Sequence, residues 1–445
     1  MAPPQEVERD ANAVGRSAWV GCGHQQHCYD AFPMRLLFVV EGVTLAHSAR
    51  VSTLVAGLLD RGHEVVAAGV DDLTRFVHPL LTYADLWCIG PNRFTSALRT
   101  GSPPYGVADL RRYLDDERRV IDRVRPDAVI ADFRPTAVMS ARAAGITSAS
   151  LINAYWSPAA RSSSLPMPVL PGTTLLPLRW AQTMYDVGSA LVMPLHCRPW
   201  NTVRLSMGLG ALGNHLRDIY CDADHVLYPD VPGMFDVGPL PVNHHFVGPL
   251  LWSPKVDPPR WWPEVDATLP VAYVTLGSSG SAKVLRRVVA ALSDDRLSVI
   301  VSSAGAVGAA ADTAKFGPRT HIAPYLNGAS ASQRADIVVC NGGSMGCQLA
   351  FAFGKPVLGI ASNMDQFMNM QGVVAAGAGI CLRADRVTAS TVRESCRVLL
   401  HDPKYATAAL AISERQKLFD PIQRVEAILL KAVGRRAAAP DQAQS

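Results

Sequence analysis

The chain has 445 residues, with 42 basic against 38 acidic side chains, a net charge of +4 and 49% hydrophobic residues. That length accommodates two domains of roughly 150–200 residues each, and so small a charge with dispersed Lys and Arg excludes a nucleic-acid footprint. Nine cysteines at unpaired spacings, no export signal and no apolar run near the ~18 residues that cross a bilayer predict reduced thiols, a cytoplasmic location and no membrane span.

Residues 1–33 show neither periodicity nor apolar clustering, whereas Met34 opens directly into MRLLFVV. They read as a disordered extension, with Met34 as an alternative start of translation. Cys22, His24, His27 and Cys28 are metal-ligand types, but their spacings match no zinc pattern, and no metal site is assigned. The strand Leu36 to Val40 ends at Glu41-Gly42. Val51, Leu54, Val55 and Leu58 then give one apolar face to a helix from Val51 to Leu59, and Glu64 to Gly69 is the next strand. This βαβ order predicts a parallel sheet. A charged helix from Asp109 to Val124 leads to a strand over Ala128 to Ala131 with Asp132 at its end, and Ser148 to Ile152 makes another strand.

Between Asn153 and Asn214, Tyr155, Trp156, Trp180, Tyr185 and Trp200 are spread over apolar helical pieces and Pro-rich loops. They read either as core covering the sheet or as a binding wall for a bulky apolar partner. Asp224 to Tyr228 and Phe246 to Pro249 supply the last strand pieces of this half, and the Pro- and Trp-rich stretch Ser253 to Pro270 is a linker. The alternation resumes with a strand from Val271 to Leu276 that ends in Gly277-Ser278-Ser279-Gly280, a helix from Ser281 to Leu292 and strands at Leu297 to Val301 and Thr320 to Ala323.

The stretch from Ala335 to Gln371 carries the most chemistry. Ile337, Val338 and Val339 suit a strand buried on both faces, Asn341-Gly342-Gly343-Ser344 breaks it, and a helix follows from Met345 to Phe353. Gly354 and Pro356 stop that helix before the strand Val357 to Ile360, and Asp365-Gln366 is placed on the polar loop beyond. A helix that starts behind two glycines aims free N–H groups and about half a positive charge at whatever lies in front, as a diphosphate requires. An acid and an amide at a strand's C-terminal end suit a polyol such as a sugar.

On these residues the chain resembles the family 1 glycosyltransferases, in which a His-x-Gly cradle, a Gly-x-Pro helix stop and an Asp-Gln or Glu-Gln pair follow in the same order and spacing. Two positions depart from the family: Asn341 stands where a phosphate-binding His is usual, and Leu349 where a Glu holds the ribose, with Gln348 one place away. The resemblance implies an α/β GT-B fold, two Rossmann-like domains with parallel sheets facing a central cleft. The acceptor-binding domain is placed at 34–252, the linker at 253–270 and the nucleotide-sugar domain at 271–402. Helices at 403–433 pack back on the first domain, and 434–445 form a disordered tail.

The resemblance also implies the site. His47 is placed in the loop before the first helix, and its distance from Arg61-Gly62-His63 matches the family's general base. An imidazole with an ordinary pKa of about 6.5 is neutral and proton-accepting at pH 7. Asp132 matches the carboxylate that orients this base; alone, it equally reads as a helix cap or a partner of Arg134 or Arg142. Gly277, Ser278 and Ser279 match the phosphate-contacting loop. Tyr325 matches the aromatic residue that stacks on the base, with Asn327 replacing a Pro. Asn341, Gly342, Gly343 and Ser344 form the cradle, and Asp365 with Gln366 grips the sugar. The implied activity is inverting transfer from a uridine or thymidine diphosphate sugar to a bulky apolar small molecule, without metal or cofactor. Two alternatives stay open: a lipid glycosyltransferase whose stretch from Leu165 to Pro199 touches a membrane, and a silent nucleotide-sugar-binding partner protein.

Overall fold

β-Branched and alanine-rich runs bounded by glycine and polar turns build two parallel sheets, in which most strands lead into a helix. The computed structural model describes residues 32–42, 45–69, 82–162, 165–266, 268–277, 280–293, 296–304 and 316–437. Cys22, His24, His27, Cys28, Ser278, Ser279 and 438–445 lie outside them. The first half runs β1 (Arg35–Val40), α1 (Leu45–Asp60), β2 (Glu64–Gly69), β3 (Thr82–Asp85), α2 (Pro91–Thr100), α3 (Val107–Val124), β4 (Ala128–Asp132) and α4 (Pro135–Ala143). It continues with β5 (Thr147–Leu151), a 3-10 turn at Ala154–Trp156, α5 (Leu178–Ser206), α6 (Leu216–Tyr220), β6 (His225–Tyr228) and β7 (His244–Phe246).

The second half runs β8 (Val271–Thr275), α7 (Ala282–Ser293), β9 (Ser298–Ser302), β10 (Thr320–Ala323), α8 (Gly328–Arg334), β11 (Ile337–Cys340) and α9 (Ser344–Ala352). Then follow β12 (Val357–Ala361), α10 (Met364–Ala375), β13 (Gly379–Arg383), α11 (Ala389–His401), α12 (Pro403–Lys417) and α13 (Pro421–Ala437).

The strand orders are β3-β2-β1-β4-β5-β6-β7 and β10-β9-β8-β11-β12-β13. Both reverse direction beside the first strand of the sheet, between β1 and β4 and between β8 and β11, and open α/β sheets bind ligands outside the strand C-termini at such a point. Val40 is in register with Asp132, and Thr275 with Cys340, so each switch point places a strand end next to a loop with chemistry.

The C-terminal helix returns to the first half. Val425 and Leu429 are fully buried with Met34, Phe38, Leu54 and Leu58, and a Cβ on Gly57 would lie 2.7 Å from Ile422. α13 continues through Gly434 to Ala437, so the disordered tail expected from Gly434 starts too early. α5 is one helix across Pro194 and Pro199, where separate pieces and loops are expected. Cys197, Trp200 and Val203 sit in the core on either side of Pro199, and their burial holds the helix across the break. No described cysteine forms a disulfide. Among the described residues no helix is long and apolar enough to cross a membrane.

Candidate active site

Asp132 closes β4 with its side chain fully buried. Burial raises its pKa, but the Arg50 guanidinium, His47 and the hydrogen bonds from both outweigh that and hold the carboxyl below its usual value. Oδ1 lies 2.8 Å from His47 Nδ1, and Arg50 donates to both oxygens at 2.5 and 2.6 Å. His47 sits in the first turn of α1, not in the loop before it. The apolar stripe that marks the helix in the sequence begins only at Val51, because the preceding turn faces polar partners. One turn of helix therefore carries both His47 and Arg50 to the same carboxylate. Their i,i+3 spacing was the available signal for Arg50, which the sequence reading missed. The other partners considered for Asp132 are engaged elsewhere: Arg134 with Glu117 and Arg142 with Asp222, both at 2.7 Å.

Phe133, next to Asp132, has a positive φ of 52°. This strained conformation, uncommon for an aromatic residue, stacks its ring on His47 at 5.0 Å and on Tyr220 at 4.6 Å. With Nδ1 on Asp132 and one face on Phe133, His47 is left with Nε2 for a substrate.

Behind the dyad, the N–H of Glu41 donates to the Asp132 carbonyl, and Tyr113 Oη donates to Glu41 Oε1 at 3.0 Å. Burial pushes the Glu41 carboxyl up to about 7, against Arg134 and the Tyr113 hydroxyl. A folded state that holds this proton more tightly than the unfolded chain is stabilised fully below about pH 4.5 and loses that stability as pH rises to about 7. Glu41→Gln should lack this slope, so its stability relative to the parent should improve by on the order of 3 kcal/mol between pH 4.5 and 7.5. Urea denaturation at both pH values checks it; a constant difference would mean that Glu41 titrates normally.

In the second half, β11 ends at Cys340 and the chain turns through Asn341 and Gly342 into α9. Gly342 has φ 77°, and a Cβ there would lie 2.7 Å from Met370 Cγ, so only glycine fits this close turn. Asn341 Oδ1 accepts from Gly343 N at 3.0 Å and Asn369 Nδ2 donates to the Gly342 carbonyl at 2.9 Å. Asn341, where the family has His, thus shapes the cradle. Gly277 (φ 62°) lies beside it, since its Cβ would be 3.4 Å from Asn341 Nδ2. Gly277, Asn341, Gly342, Gly343 and Ser344 are therefore together. Tyr325 follows β10 on an exposed loop, 49% accessible, and Asn327 caps α8 by accepting from Ser330 N.

Asp365 and Gln366 lie in the first turn of α10 rather than on a loop. Asn363 and Gln366 form a reciprocal capping box, and Gln366 Oε1 also accepts from Ser362 Oγ. That sequence pattern is a helix start, and here it occupies the Gln366 amide oxygen. Gln348 does not face a ribose: it is buried, donates to Asp230 at 3.1 Å and accepts from Gln416 Nε2 at 2.6 Å.

The turn after β5 joins the halves. Asn153 accepts from Arg50 at 3.0 Å and donates to Asp230 at 3.1 Å and to Ser344 Oγ at 2.8 Å. Tyr155 Oη and Trp156 Nε1 each donate to Asp365 Oδ1 at 2.9 Å. The C-terminal edges of both sheets thus meet, and an unbroken polar chain runs from His47 through Asp132, Arg50 and Asn153 to the start of α9. Burial pushes Asp230, which branches from this chain at Asn153, up to about 6, despite hydrogen bonds from the Ala154 N–H, Asn153 and Gln348. Tyr155, Trp156 and Trp200 are buried; Trp180 is exposed. No group of three or more His, Cys, Asp or Glu among the described residues could hold a metal.

Two parallel doubly wound sheets that meet at their C-terminal edges define the GT-B class of glycosyltransferase fold. The structure of spinosyn rhamnosyltransferase SpnG superposes with a TM-score of 0.65, covering 89% of this chain and 100% of that one at 19% identity; SpnG has also been solved with thymidine diphosphate and with the spinosyn aglycone. A family model described as the C-terminal domain of erythromycin biosynthesis protein CIII-like proteins matches residues 300–424. The PGL/p-HBAD biosynthesis rhamnosyltransferase of Mycobacterium bovis (strain BCG / Pasteur 1173P2) is 37% identical over 381 residues, 85% of this chain and 84% of that protein. The PGL/p-HBAD biosynthesis glycosyltransferase of Mycobacterium tuberculosis (strain ATCC 25177 / H37Ra) is 36% identical over 382 residues, 85% and 88% of the two chains. The chain belongs to this family of glycosyltransferases, the family 1 enzymes of GT-B fold that include natural-product and macrolide glycosyltransferases.

Proposed function

We propose that the chain transfers a sugar, with inversion, from a nucleoside diphosphate to a hydroxyl of a bulky apolar acceptor. The observation that carries this reading is the contact of 2.8 Å between His47 and Asp132 on the same sheet edge that Asn153 ties to the start of α9. The acceptor O–H gives its proton to His47 Nε2 while its oxygen attacks the anomeric carbon. The bond from that carbon to the diphosphate breaks, and the departing oxygen takes the electron pair toward the N–H groups of the first turn of α9, which begins at Ser344. Asp132 keeps the imidazole in the tautomer with Nε2 open and stabilises the imidazolium. The Phe133 ring stacked on His47, with Trp156 and Tyr220 packed against Phe133, suits an apolar acceptor. One relative is named for rhamnose, so thymidine and uridine diphosphate rhamnose head the donor panel. Thermal shift with each donor, followed by mass analysis of products on hydrophobic phenols and macrolides, tests the proposal; a chain that stabilises with no donor would refute it.

The second reading, an acceptor held in a membrane, is favoured by one feature. Trp180, Met184, Val187, Leu191 and Leu195 recur at helical spacing on the outer face of α5 and are 53–74% exposed. Arg179 and Arg198 flank this stripe on the same helix. If it rests on a bilayer, Leu191→Glu should release the protein from anionic vesicles in a sedimentation assay and leave turnover of a water-soluble acceptor unchanged. Equal sedimentation of parent and variant would exclude that use of the helix.

A further inference from the structure

We infer that Tyr155 and Trp156, which belong to the acceptor half, position Asp365 so that it accepts a single sugar hydroxyl, and that they thereby set the chain's choice of donor sugar. The inference rests on the donor-site reading above and goes beyond it in assigning two positioning residues from the opposite domain. Both donors converge on one oxygen, Oδ1, at 2.9 Å. Among the described residues nothing donates to Oδ2, and the side chain is only partly buried. A carboxylate with both oxygens free can bind two neighbouring hydroxyls of a pyranose side by side; with Oδ1 holding two hydrogen bonds, this one offers Oδ2 alone and cannot take such a pair in that way.

The arrangement is rigid. Tyr155 packs edge-on against Phe235 at 5.1 Å and Trp156 against Tyr220 at 5.3 Å, and both residues are no more than 5% exposed. Burial and the facing Asp365 raise the Tyr155 phenol well above its ordinary pKa, so it remains a donor throughout the working range. The position of Asp365 in the first turn of α10 supplies the favourable end of the helix dipole to the carboxylate. A donor sugar therefore needs one hydroxyl aimed at Oδ2, and a sugar deoxygenated at the neighbouring carbon loses nothing there.

The test compares the affinity of the full chain for a nucleoside diphosphate and for the corresponding diphosphate sugar by calorimetry, in the parent, Tyr155→Phe and Trp156→Phe. The expected result is unchanged affinity for the bare diphosphate, which also reports correct folding, and about tenfold weaker binding of the diphosphate sugar in each variant. A deoxygenated and a fully hydroxylated donor should bind the parent with similar affinity, and loss of both donors in the double variant should shift preference toward the hydroxylated one. Unchanged sugar affinity with intact diphosphate binding would overturn this inference and leave the donor site standing. Failure of the parent to bind any nucleoside diphosphate would overturn both. Weakening of the bare diphosphate to the same extent as the sugar would assign Tyr155 and Trp156 a structural role only, and would likewise overturn the inference.

Discussion

His47→Ala should lower the rate of sugar transfer by about 10²–10⁴ and leave donor binding and the fold intact. The imidazole contributes through one contact to Asp132 and one stacked face on Phe133, and its own side chain is only 15% exposed. Its removal costs a hydrogen bond and a ring contact, on the order of 1–2 kcal/mol, because Asp132 keeps both bonds from Arg50. Catalysis and stability therefore separate at this position. Single-turnover transfer measured beside the diphosphate dissociation constant checks this. A variant that transfers at the parental rate would remove His47 from the mechanism, and one that no longer binds diphosphate would show that its role is structural.

Arg50→Met should do the opposite, costing roughly 3–5 kcal/mol of stability as well as activity. Arg50 and Asp132 are 10% and 0% exposed in their side chains, so removing the cation leaves a buried carboxylate whose side-chain partner among the described residues is the His47 imidazole alone. Arg50 also donates to Asn153, so the link to Ser344 loses one of its supports. Asp132→Asn in the same background removes the stranded charge and should restore part of the loss. Urea denaturation of the two single variants and the double variant measures this coupling. Strictly additive losses would mean that the two groups do not depend on each other.

The strand and helix alternation was legible because buried parallel strands are short β-branched or alanine-rich runs, and Leu36 to Val40, Glu64 to Gly69 and Ile337 to Val339 stand out as such. The turn before α9 was legible for a related reason: glycine at a turn with φ 77° has no substitute. The start of α1 was not, since residues that face a polar cleft carry no apolar period. α10 was not legible either, and Asp365-Gln366 at its start reads in the sequence as a polar loop. Asn363 and Gln366 carry a capping-box spacing, yet Gln366 also matches a sugar-binding position, and the structure shows its amide oxygen serving the helix. Arg50, Asn153, Tyr155 and Trp156 act through partners up to 210 residues away. Nothing local in the chain specifies which carboxylate an arginine or an indole will find; that is decided by how the two sheets meet.

The proposed function rests on the meeting of these two edges, which would put a base on one and a leaving-group cradle on the other. The measurement that tests it most directly is the anomeric configuration of the glycoside compared with that of the nucleoside diphosphate sugar it is formed from, read from one-bond carbon–proton coupling at the anomeric centre. Direct displacement by an acceptor oxygen deprotonated at His47 predicts the opposite configuration in the product. A product that keeps the donor's configuration would contradict a single displacement and the role given to His47.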